Sequence, residues 1–297
     1  MTTSPDPYFL KPHGTVPEQQ AETDNPTIGR INGFLLDENF GVRSDGVFVA
    51  DRELARRIDA DVPGYRWCVL AQQRFLYDVI AFAAEKRGIS QFVVLRAALP
   101  LGPERKTPHT QVKAYVGAPS MVLVARENIL FGHQQTAMAV LEEKRVAAVK
   151  AAVHEVHRPL HQVHKRGDWS LDLTTPVCLT MVADPSHWPG DVTDLMRAYH
   201  EELPPGSVIG VSSLGVAPPG SAVAAALDDL ATHLALTPEP QLTPRSQAEV
   251  ESWFDGTGWD LEHPGVAAVS HWCGPQPAKI AGPELPVWCA IATRAAS

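Results

Sequence analysis

The sequence predicts an α/β protein: a doubly wound, mostly parallel sheet of seven strands, with helices laid before the first strand. Two observations carry this. Residues 92–95, 121–124, 151–156, 177–182 and 207–212 are short runs rich in Val, Leu and Ile, the composition of strands buried on both faces. Helical stretches at 133–148, 192–202 and 222–236 separate the later runs, and such alternation implies right-handed crossovers in a single sheet.

Taken in order, residues 1–25 are rich in Pro, Thr, Glu and Gln with few aliphatics, so they are expected to form an arm without a core of its own. Residues 26–88 are expected to form a helical cap. Ile28, Ile31, Phe34 and Leu35 recur at three-to-four spacing, Asp51 opens a helix over 51–58 as its cap, and a helix over 74–86 is closed by Gly88. Residues 89–297 form the sheet domain. Its last elements are a helix over 247–254 followed by Gly256, and a terminal strand over 287–293 expected as an antiparallel edge.

Composition narrows the function. The 297 residues carry 25 Lys and Arg against 34 Asp and Glu, a net charge of -9, which disfavours nucleic acid because phosphate binding needs a concentrated basic face. No apolar run is long enough to cross a membrane, and the first residues lack the pattern of a secretion signal. The four cysteines are far apart with no C-x-x-C spacing, as expected for reduced thiols in a cytoplasmic protein. A small-molecule substrate is the expected partner.

The run ISQFVVLRAALP at 89–100 has the form of a nucleotide-binding strand and turn. In such turns glycine lets a ligand approach backbone that carries no Cβ. Here Arg96 and Ala98 stand where glycines would be expected.

Further segments extend the comparison. PTIGRINGFLL (26–36), ADRE (50–53), LDLTTPV (171–177), LPPGSVIGVSS (203–213), TPRSQAEVESWFDG (243–256) and HPGVAAVSHW (263–272) resemble the bacterial Class I S-adenosylmethionine-dependent methyltransferases once grouped as a domain of unknown function. The resemblance spans about residues 26–293 and implies a Rossmann-like Class I methyltransferase fold, with a seven-stranded sheet and an N-terminal helical lid over the cofactor. It also implies where the cofactor residues should be. Val94 replaces an acid at the end of the first strand, Arg96 and Ala98 replace glycines, and Leu99 and Pro100 are kept. Ala125 replaces the aspartate that grips the ribose, and Asn32 to Leu36 with Asp37 and Glu38 replace the lid motif. Glu155 matches the acid after the third strand that approaches adenine.

A ribose carboxylate makes two charge-assisted hydrogen bonds worth about 1.5–3 kcal/mol each, so its loss would cost roughly a hundredfold or more in affinity. On that reckoning no cofactor is expected, and the chain reads as a cofactor-independent cyclase, dehydratase or isomerase acting on a small, secondary-metabolite-like molecule. Two alternatives stay open. One is an active methyltransferase holding S-adenosylmethionine through Glu155, Glu127 and Arg96, since Glu127 lies one strand period beyond Ala125. The other is a non-catalytic binding protein or partner subunit; a homodimer is compatible with each reading.

Two clusters could carry chemistry. ADPSHWPGD at 183–191 follows the fourth strand, with Asp184 and His187 as an acid-base pair and Trp188 as a stacking surface for substrate; turn capping and core packing are the structural uses of the same residues. VHEVHRPLHQVHK places His154, His157, His161 and His164 close together. Pro159 is expected to start a helix there, leaving only His161 and His164 on one face, so no metal is expected. His154 is then a candidate proton relay, and His157 and Phe34 are candidate substrate contacts.

Overall fold

The computed structural model describes residues 23–38, 47–96, 107–140, 144–164, 169–182 and 184–295. Most of the expected N-terminal arm lies outside them. The strands are β1 (Gln91–Val94), β2 (Ser120–Ala125), β3 (Val146–Lys150), β4 (Cys178–Val182), β5 (Val208–Leu214), β6 (Trp259–Leu261), β7 (Ala267–Ala268) and β8 (Val287–Arg294). They form one eight-stranded sheet in the order β3-β2-β1-β4-β5-β8-β6, with β7 paired to β8. Neighbours among β1 to β5 are parallel, whereas β8 runs antiparallel to both β5 and β6. The antiparallel strand is thus interior, not the expected edge.

Three helices form the cap: α1 (Ile28–Glu38), α2 (Val49–Asp61) and α3 (Gly64–Ala81), the last running on through a π-helical turn at Phe82–Lys86. Ile31 and Leu35 of α1 are fully buried, as their spacing predicts. Asp51 lies in the first turn of α2 instead of at its cap, and accepts the Phe48 N–H there at 2.8 Å. Between and after the strands come α4 (Pro108–Val112), α5 (Asn128–Val140), α6 (His157–His161), α7 (Val192–Glu202), α8 (Ala222–Leu234), α9 (Gln247–Ser252) and α10 (Val269–Cys273).

Strand alternation divides the core. Phe92, Val94 and Met121 pack with the cap helices, while Val93, Val122 and Leu179 pack with Leu195, Met196 and Tyr199 of α7. The cap approaches the sheet very closely at β5. A Cβ built on Gly210 would lie 2.4 Å from Val79 Cγ2 of α3, so this contact exists only because the strand residue has no side chain.

The third strand is displaced from its expected position. Residues 133–148 read as helix and 151–156 as strand, yet α5 ends at Val140 and β3 occupies Val146–Lys150. The sequence VAAVK has no strong strand propensity, but its register against β2, from Met121 with Val146 to Ala125 with Lys150, gives the run a ladder along its length. Pairing overrides propensity here. Residues 151–156 instead form the turn above the sheet. All four cysteines are free and buried, and among the described residues no helix is long and apolar enough to cross a membrane.

Candidate functional site

The chain leaves β1 toward β2 and β3, then returns to place β4 on the opposite side of β1. Such a reversal opens a crevice beyond the carboxyl ends of the strands. A cavity of about 280 Å³ lies there. Leu95 and Arg96 reach it from the end of β1, Val124 and Arg126 from β2, Ala151 to His154 from the turn after β3, and His187 and Trp188 from the turn after β4.

Arg96 is the pivot of this site. Its φ of 50° is left-handed, the conformation that favours glycine, although the residue carries a long side chain. The guanidinium reaches Glu239 at 3.8 Å. Glu239 Oε1 also accepts the Ile28 N–H at 3.1 Å, while its Oε2 is buried with no hydrogen-bond partner among the described residues. A second, smaller cavity of about 60 Å³ lies under α1 and α3, lined by Asn32, Gln72 and Gln73, and again by Arg96. Arg96 therefore borders both spaces.

A buried ionic network ties the cap to the same region. Arg30, 1% exposed, donates to Asp51 at 2.9 Å and to Glu127 at 3.1 Å. Asp51 also accepts the Thr27 N–H at 3.1 Å. Burial pushes the Glu127 carboxyl up, against the pull of the Arg30 cation. Glu127, expected as a cofactor ligand, is engaged with the cap.

His187 is buried, and its Nδ1 lies 3.3 Å from the Pro240 carbonyl. A carbonyl only accepts, so Nδ1 carries the hydrogen and the lone pair resides on Nε2. Burial, with the nearby Arg96 cation, lowers this imidazole to about 3. His154 and Trp188 stand together, ring centroids 5.4 Å apart and inclined at 38°. The buried Trp188 Nε1 has no hydrogen-bond partner among the described residues.

Other expected site residues are placed elsewhere. Glu155 lies beyond the corrected end of β3, where Oε2 accepts the Ala152 N–H at 2.6 Å and Arg158 pairs at 3.5 Å; that backbone bond holds its carboxyl below the usual range. It fastens the turn and does not line the crevice. Phe34 is buried in the cap with the Arg56 guanidinium 5.5 Å from its ring. His157 is exposed beside Glu202. Helix α6 begins at His157, not at the expected Pro159, so His157 and His161 share a face while His164 is buried against Trp169. Asp184 opens the 3-10 turn leading to His187, and its side chain lies outside the described residues. So do Ala98, Leu99 and Pro100, together with the side chains of Asp37 and Glu38.

Glu239, Pro240, Arg126 and Arg30 were not singled out from sequence. Glu239 falls in a proline-rich run, 237–244, that reads as a connection, and only its isolated acid between two prolines hints otherwise.

The site thus combines a strand order reversed at β1, a crevice at that reversal and the helical cap. A family profile described as S-adenosyl methyltransferase matches residues 14–295. The chain belongs to the S-adenosyl methyltransferase family. Two solved structures share its fold. A candidate methyltransferase from Thermobifida fusca YX is 24% identical, covering 94% of this chain and 99% of that one, with a TM-score of 0.75. A DUF574 family protein from Streptomyces avermitilis MA-4680 is also 24% identical, covering 92% of this chain and 99% of that one, at 0.74. No curated protein matches the chain.

Membership in the S-adenosyl methyltransferase family overturns the expectation that no cofactor is used. The cofactor this family points to is S-adenosylmethionine. The missing ribose carboxylate and glycines are local departures, whereas Glu239, which pairs with Arg96, lies far along the chain. The amino-acid end of that cofactor is a zwitterion, which needs a cation for the carboxylate and an anion for the ammonium. Arg96 lines the crevice and offers the cation, and Glu239, 3.8 Å from it, offers an anion with one oxygen unpartnered, although it lines neither cavity itself.

Proposed function

We propose that the chain is an active S-adenosylmethionine-dependent methyltransferase acting on a small molecule, with a cofactor site of unusual composition. The observation that carries this reading is the Arg96–Glu239 pair at the end of β1, with its unpartnered Glu239 oxygen. Arg96 would hold the methionine carboxylate and Glu239 the ammonium, replacing contacts that glycine turns and strand-end acids supply elsewhere. Val124, Ala151 and Ala152 would supply an apolar wall for the adenosine end, and the Trp188 N–H a donor for one of its acceptors.

S-adenosylmethionine, when bound, supplies an electrophilic methyl group. The chain's own residues would then orient an acceptor and accept its proton. His187, neutral and with its lone pair on Nε2, suits an acceptor of a hydrogen bond better than a proton donor. His154, which lines the same cavity, and Asp184, three residues before His187 in sequence, are the other candidate groups. The strongly acidic balance of the chain supports a small molecule over a nucleic acid.

Calorimetric titration with S-adenosylmethionine and S-adenosylhomocysteine tests the reading. Saturable binding is expected, weakened about ten- to a hundredfold in R96A and E239Q, because each removes a charge-assisted hydrogen bond worth about 1.5–3 kcal/mol. Absence of binding to the wild-type chain would overturn it.

A further inference from the structure

We propose that His157, His161 and Glu202 form a surface site for a divalent transition-metal ion, separate from the crevice. His157 and His161 are four residues apart on α6, the spacing that sets two imidazoles on one helix face. Glu202 comes from the end of α7. Its Oε2 lies 2.9 Å from His161 Nε2 and its Oε1 3.3 Å from His157 Nε2. All three donor atoms lie within 4.8 Å of one another.

These separations suit a common ion. With metal–nitrogen bonds of about 2.0–2.1 Å in a tetrahedral site, adjacent ligand atoms stand roughly 3.3 Å apart. Two imidazoles and a carboxylate favour zinc, nickel or copper over magnesium or calcium, which prefer all-oxygen shells. Both histidines are exposed, so water can complete the coordination and the ion has an open path.

The frame behind the cluster is already fastened. Tyr199, one turn before Glu202 on α7, donates its hydroxyl to the Val153 carbonyl at 2.8 Å. This bond fixes the start of the turn that leads into α6, so little ordering remains for the ion to impose. Arg158, the nearest cation on α6, is paired with Glu155 at 3.5 Å, which reduces its repulsion of a bound ion. An ion here would clasp α6 to α7 and, through residues 151–156, stiffen one wall of the crevice.

The test uses the full chain without a histidine tag, stripped by chelator and titrated with zinc alone, with bound metal read by equilibrium dialysis and melting followed by circular dichroism. One zinc per chain and a raised melting temperature are expected in the wild type and in H133A, a histidine outside the cluster. Both effects should be lost in H161A and in E202Q, whose metal-free spectra and melts should match the wild type. No zinc bound to the wild type at micromolar free ion, or retention of the ion by either cluster variant, would overturn the proposal.

Discussion

The Arg96 guanidinium lies 3.8 Å from the Glu239 carboxylate, while Arg96 itself holds a left-handed backbone at φ 50°. One residue thus combines a costly conformation with a charge that pairs with the distant 237–244 connection. The two contributions can be separated. Replacement by alanine removes the charge and keeps the strain, whereas replacement by glycine removes both. R96G should therefore be more stable than R96A by about 1 kcal/mol in urea unfolding. Equal stabilities would mean that the turn relaxes without glycine.

Arg30 is the hub of the cap. R30M would leave Asp51 and Glu127 buried without their cation, and breaking a buried pair in this way costs about 3–5 kcal/mol. Because Arg30 also joins α1 to α2 and to the end of β2, the loss should appear as early protection loss in hydrogen exchange across α1. A cost below about 1 kcal/mol, the range of an exposed pair, would contradict this.

His187 gives a pH signature. Its imidazole titrates at about 3 in the folded chain, against an ordinary value of 6.5 that the unfolded chain retains. Below 6.5 the unfolded state takes a proton that the native state refuses. The stability conferred by the neutral ring is thus complete above 6.5 and declines as pH falls toward 3, by up to about 1.4 kcal/mol per pH unit. H187Q should lack this part of the slope, so the difference between its urea midpoints and those of the wild type should change with pH only below 6.5. A constant difference across that range would argue against a buried neutral imidazole.

The contact of α3 with β5 is sterically exclusive. G210A places a Cβ 2.4 Å from Val79 Cγ2, and overpacking of this kind costs about 1–3 kcal/mol. The double variant G210A/V79A should recover part of that loss in denaturant melts. No recovery would locate the strain elsewhere.

The sequence made the sheet legible because its central strands are buried on both faces and read as continuous apolar runs, as in Phe92 to Leu95. At β3 that signal failed. Val146 to Lys150 carries alanines and a lysine, and only its ladder with β2 makes it a strand. The unusual turn at Arg96 was also legible, since a strand followed by a glycine-poor turn is a local pattern. Its partner was not: Glu239 is far along the chain, and an ion pair across a fold leaves no mark on spacing. The face shared by His157 and His161 is not legible in the sequence for a local reason. Proline was expected at the first helical position, yet Pro159 sits at the third of α6, where its missing N–H is still one of those without an intrahelical partner.

The interior position of β8 bears on the order in which the molecule assembles. Strands β6 and β7 both pair with β8, and β5 uses it to cover an otherwise open flank. All three precede it in sequence, so while the chain is being synthesised β5 remains an unpaired edge until residues 287–294 have emerged. During that interval the half-built sheet offers a row of free backbone groups to any other extended segment. Closure of the sheet is therefore a late and long-range event, and chains interrupted before 287 would be the ones most prone to edge-to-edge association.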